Sequence, residues 1–124
     1  VAVLRADDPL VGRGVLTPVD LATGPVILPN RATTQSVLSN WFGPRYSGLE
    51  VVGGANLNAA GEAMVRAGLG RCLQVETLGS AASDLAHLPL DPPLTAGSAV
   101  AWLSGKPMSR VASAFAQFLQ DKLA

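Results

Sequence analysis

The side chains that could do chemistry in this sequence are few and far apart. His87 is the only histidine, Cys72 is the only cysteine, and the nine acidic residues are scattered along the chain. Covalent catalysis needs a nucleophile beside a base, general acid–base catalysis needs a matched pair of titratable groups, and a metal needs several ligands at close spacing. None of these patterns is present. His87 falls in a proline-rich stretch, and there is no G-x-S-x-G, no P-loop and no G-x-G-x-x-G string. The nearest glycine string, Gly68-Leu69-Gly70, follows a helix pattern and precedes a strand pattern, the reverse of the order that cradles a dinucleotide. Cys72 stands in an apolar run without a second thiol, so it reads as a small buried apolar side chain. The expectation is no catalysis, no cofactor and no metal.

Binding chemistry is better represented. Asn30, Arg31 and Thr33 follow the apolar run Pro25–Pro29 and open a helix pattern, with Asn30, Thr33 and Thr34 as candidate caps. Asn56 and Asn58 follow the strand pattern Leu49–Val52 and the linker Gly53-Gly54-Ala55, and either could cap the next helix. A helix that starts at the carboxyl end of a strand directs unpaired backbone N–H groups to where an open α/β sheet has its ligand crevice. Asn30, Arg31 and Thr33 are therefore the first candidates to touch a ligand.

The elements that must position them are organised around Asn56–Val75. Leu57, Ala60, Gly61, Met64, Val65 and Gly68 recur at the spacing of one helical face, with Glu62 and Arg66 on the other. Gly68 is placed to end the helix in the left-handed conformation, and Gly70 to turn the chain into the strand Cys72–Val75. Before this unit, Val1–Arg5 reads as a strand ended by Asp7-Asp8-Pro9. Thr17 caps a short helix with Pro18 at its first position, and Val37, Leu38, Trp41 and Phe42 form the apolar face of a helix ended by Gly43-Pro44. After it, Leu78–Leu85 reads as a weak helix and His87–Pro93 as stiff extended chain. Ala99–Leu103 reads as another buried strand, and Ser109 caps a last helix whose apolar face is Val111, Phe115, Phe118 and Leu119. Alternating strands and helices predict an α/β fold with a mixed, mostly parallel sheet of about five strands flanked by helices.

Composition bounds the partners. The chain has 124 residues, is 48% hydrophobic and carries nine basic against nine acidic residues without a basic cluster. This fits one domain and speaks against nucleic-acid or membrane-surface binding by the chain itself. No apolar run is long enough for a membrane span and no signal peptide is recognisable, so the expected location is cytoplasmic. The chain opens on Val1 within a strand pattern, and the expectation is a piece trimmed from a longer protein.

Several local strings, in order, resemble one family. Arg5-Ala6-Asp7-Asp8-Pro9-Leu10 resembles the D/H-P-L turn of the effector-binding domain of LysR-type transcriptional regulators. Thr17–Leu28 resembles that family's short helix and strand, and Ala63–Gly70 (AMVRAGLG) its V-x-A-G-L-G helix end. Ala99–Leu119 resembles its closing strand, linker and helix, with the aromatic pair Phe115 and Phe118. The likeness runs from about residue 1 to residue 122.

This resemblance implies a periplasmic-binding-protein type 2-like lobe over residues 1–105, with a crossover strand at 1–5. Residues 106–124 would be a linker and a closing helix returning towards a first lobe that is largely missing. It also implies a bacterial regulator in which a small effector sits between two lobes and DNA is bound only through an absent winged helix-turn-helix. The family's second-lobe effector contacts would fall on Asn30, Arg31, Thr33, Asn56 and Asn58, and Arg31 would suit a carboxylate on an anionic effector. Leu57, Arg71 and Gln74-Val75 depart from the family pattern, and the charge on Arg71 needs a partner or solvent. The rival readings are a lobe of a solute-binding protein and an enzyme on the same fold. A lobe without its partner is also expected to self-associate as a homo-oligomer, through the cleft face or a sheet edge near Val1–Leu4.

Overall fold

A computed structural model of the chain describes residues 1–77 and 83–123. The strands β1 (Ala2–Arg5), β2 (Val26–Leu28), β3 (Val51–Gly54), β4 (Arg71–Leu73) and β5 (Leu85–Leu88) form one sheet in the order β3-β2-β4-β1-β5. β2 runs parallel to both β3 and β4, while β1 runs antiparallel to both β4 and β5. The helices are α1 (Pro18–Leu21), α2 (Ala32–Phe42), α3 (Asn58–Arg66) and α4 (Arg110–Leu123). The expected α/β class with a mixed sheet flanked by helices is what the chain adopts.

Because strand side chains alternate faces, β1, β2 and β4 each serve two cores. Ala2, Leu4, Val26, Leu28 and Leu73 point to one side and pack with Leu21, Leu38 and Phe42 of α1 and α2. Val3, Ile27 and Cys72 point to the other and pack with Val65 of α3 and with Ala55 and Leu85. Burial on both faces explains why β1 and β2 read as unbroken apolar runs.

The connections follow local chemistry. Thr17 and Asp20 make a capping box at α1: the Asp20 N–H donates to Thr17 Oγ1 at 3.3 Å, and Asp20 Oδ2 accepts from the Thr17 N–H at 2.9 Å. Gly68 takes φ +78° at the end of α3, as its left-handed role requires. Gly70 is required for a different reason: a Cβ there would lie 2.7 Å from the Pro25 carbonyl oxygen where β2 and β4 come together. Arg71 has its partner, since Nε and Nη2 donate to Asp8 Oδ2 and Oδ1 at 2.8 and 3.2 Å. This bidentate pair ties the Asp-Pro turn after β1 to the start of β4. Burial pushes the Asp8 carboxyl up, but the bonds from Arg71 and from the Leu10 N–H outweigh it and hold the pKa below the ordinary value.

Five expectations need correction. Ala99–Leu103 is not a buried strand: it is exposed chain in no ladder, with Val100 60% and Leu103 70% exposed. An apolar run becomes a sheet strand only beside a partner edge, and no described segment pairs with this one. The fifth strand is instead β5, which begins at Leu85 and includes His87 and Leu88. Residues 78–82 of the expected weak helix lie outside the described residues.

Third, β1 is no edge, because β4 and β5 flank it, so Val1–Leu4 offers no open ladder; β3 and β5 are the edges. Fourth, neither α2 nor α3 has a side-chain cap: the N-cap positions are Arg31 and Leu57, and neither side chain bonds the helix end. Fifth, the face assigned to α3 is narrower than expected. Leu57 is 71% exposed, whereas Glu62 on the supposed outer face is partly covered by β4 and β5 and accepts from Gln74 Nε2 at 3.2 Å.

Candidate functional site

β2 and β3 are parallel neighbours, so their carboxyl ends lie side by side and deliver Asn30 and Asn56 to the same place. The Asn30 N–H donates to Asn56 Oδ1 at 3.1 Å, and Asn56 Nδ2 donates back to Asn30 Oδ1. Gly54 allows this approach, because a Cβ at that position would press on the Asn30 amide. Asn58 reaches the next strand end instead, with Nδ2 donating to the Val75 carbonyl at 2.9 Å. The three asparagines therefore cross-link the loops that follow β2, β3 and β4, and this work displaces them from helix capping. Arg31 and Thr33 are exposed at the start of α2.

Beside this rim lies a cavity of about 450 Å³. Pro29, Thr34, Val37 and Leu38 contribute one wall from the end of β2 and the first turns of α2. Leu73, Gln74, Val75 and Glu76 contribute a second from the end of β4, and Val1 with segments between Pro89 and Ala96 closes the third side. None of the five sequence-derived candidates is among the lining residues, although Pro29 and Thr34 bracket Asn30–Thr33 in the chain. Sequence reasoning missed Gln74, Glu76 and Thr95. The walls join segments more than 90 residues apart, and the only sequence signal was the departure at Gln74-Val75.

Burial shifts two titratable groups near the site. Burial pushes the Cys72 thiol up to about 11, with Glu62 adding to the effect, so the nucleophilic thiolate is scarce at neutral pH. Burial also lowers the pKa of the Val1 amine, against the opposing pull of Glu76 and Cys72, and that amine donates to the Gln74 carbonyl at 3.0 Å. His87 Nε2 lies 3.5 Å from Glu62 Oε1 behind the sheet. Among the described residues no group of three or more His, Cys, Asp or Glu side chains could hold a metal ion. None of the described helices is long and apolar enough to cross a membrane.

A mixed α/β lobe with a largely apolar cavity at the carboxyl ends of its strands, rimmed by polar loops, belongs to the class of ligand-binding lobes. The chain is a member of the LysR substrate binding domain family, which matches residues 1–124. Its fold is similar to that of HinK, a LysR-family transcriptional regulator from Pseudomonas aeruginosa, with a TM-score of 0.74 and 22% identity over 99% of this chain and 44% of that one. It is equally similar to the PA01 protein of the same organism, a provisionally assigned LysR-family regulator, with a TM-score of 0.74 and 21% identity over 99% of this chain and 45% of that one. The chain thus spans less than half the length of these two proteins. No curated protein matches it.

Proposed function

We propose that this chain is the effector-sensing part of a cytoplasmic LysR-type transcriptional regulator, and that it is not an enzyme. In the whole protein a small anionic metabolite would sit between this lobe and another. Its binding would bias the arrangement of the lobes and so DNA binding by a winged helix-turn-helix, a coupling between two sites. Residues 1–105 serve as the sensing lobe and 106–124 as the linker and closing helix. The observation that carries this reading is the family match over the whole chain together with a cavity at the strand ends.

Asn30, Asn56 and Asn58 hold the rim loops in register, while Arg31 and Thr33 stand free of the core to meet the effector. Arg31 pairs with the effector's carboxylate, since a guanidinium meets a carboxylate through two parallel hydrogen bonds. The test is a thermal-shift screen of small carboxylates on the whole native protein, followed by calorimetry on the hits. At least one metabolite should raise the melting temperature, and Arg31→Ala should weaken its binding by about tenfold or more, the usual weight of a charge-assisted bond. Unchanged affinity removes Arg31 from the site, and a panel without any binder removes the effector reading.

A further inference from the structure

The cavity says more about its occupant than that it is small. Val37, Leu38, Leu73, Leu90 and Leu94 make its walls apolar, and about 450 Å³ is at the lower end of what small-molecule sites enclose. Among the described residues no cationic side chain lines it. Among the described lining residues the one with a charged side chain is Glu76, exposed in the segment just after β4. An anion lying wholly inside would face that carboxylate, and no described side chain of the lining offsets it. A ligand that carries its carboxylate towards Arg31 at the rim, an apolar group against the leucines and a positive group at Glu76 would satisfy every charge the site presents.

We propose that the ligand of this cavity is an apolar α-amino acid of about leucine or phenylalanine size, with Glu76 as the acceptor for its ammonium group. The inference rests on the effector reading above; it keeps the carboxylate that meets Arg31 and makes the ligand a zwitterion in place of a net anion. Thr34 and Thr95 also line the cavity, and a hydroxyl can accept from an ammonium or donate to a carboxylate.

The test is calorimetry on the whole native protein with three matched series. These are L-leucine and L-phenylalanine, their deaminated acids 4-methylpentanoate and 3-phenylpropanoate, and their decarboxylated amines 3-methylbutylamine and 2-phenylethylamine. The amino acids should bind about tenfold or more tighter than either truncated series, the usual weight of one charge-assisted hydrogen bond. Glu76→Gln should erase the preference over the deaminated acids while leaving the affinity of those acids unchanged or improved. Equal binding of the deaminated acids, or a Glu76→Gln variant that keeps the preference, overturns the assignment. If no member of the three series binds but another carboxylate from the screen does, the amino-acid assignment falls and the effector reading stands. If neither panel yields a binder, both fall.

Discussion

Residues 1–77 and residues 95–123 are written in the same apolar language and end in opposite states. In the first region the apolar positions of β1, β2 and β4 are fully or almost fully buried, and Phe42 of α2 is 1% exposed. In the second, Trp102, Leu103, Val111, Phe115, Phe118 and Leu123 are all exposed, and α4 has no buried residue. Apolar periodicity states that a segment needs a covering surface, and the topology decides whether the same chain supplies it. The strands of the first region find one another, and α1–α3 cover β1, β2 and β4. The run 99–103 and the face of α4 meet nothing equivalent among the described residues.

The sharpest way to probe this contrast is to remove a large side chain from each region. Phe42→Ala removes a ring that packs edge-on against Trp41, with centroids 4.9 Å apart, beneath the first core. It should cost about 3–5 kcal/mol in urea unfolding, a large fraction of a small domain's stability. A loss below about 1 kcal/mol would show that the sheet lobe is as loosely covered as the tail, and the comparison would collapse.

A smaller effect is expected at the Arg71–Asp8 clamp, which is polar and mostly covered and belongs to the ordered region. Arg71→Ala should cost about 1–3 kcal/mol, since it leaves a partly buried carboxylate without its bidentate partner. The Asp8→Ala, Arg71→Ala double variant should lose less than the sum of the two singles. The clamp also sets a pH dependence. Because the folded pKa of Asp8 lies below its unfolded value, the contribution is complete above the ordinary carboxylate range near pH 4 and is lost as pH falls through the lowered folded pKa. Asp20, held low first by the Thr17 N–H, gives the same sign. Acid titrations of wild type and Arg71→Ala should therefore converge below about pH 4. A gap that persists into acid would mean that Arg71 acts through packing of its stem.

These two sites also show what could be read from residue types alone. The end of α3 at Gly68, the Thr17-Pro18 start of α1 and the apolar strands β1 and β2 were legible, because each rests on contacts within a few residues or on burial of both faces. The asparagine rim was legible in place but not in role. Asn30 and Asn56 are 26 residues apart, and only the parallel pairing of β2 with β3 turns two candidate caps into a cross-link. The same limit hid β5, a short strand carrying His87 and cut off by Pro89, which forms only because β1 presents an antiparallel edge to it. It also made 99–103 look buried, since that run is as apolar as β2 while no described segment pairs with it.

The smallest change in stability, and the most informative for the contrast, is expected from the tail. In the 124-residue chain, replacing Phe115 and Phe118 with serine should alter unfolding free energy by no more than about 0.5 kcal/mol per site, because both rings already face water. The same pair should lower the self-association we expect of this chain, read as a fall in weight-average mass by light scattering at high concentration. If α4 is covered in the whole native protein, each serine there should instead cost about 1.5–3 kcal/mol, the weight of a buried aromatic side chain. The ratio of the two costs measures how far the apolar face of α4 is matched by a surface outside residues 1–123. Equal small costs in both settings would mean that the face stays open in the whole protein. Equal large costs would mean that the 124-residue chain covers the face by itself, through copies of its own.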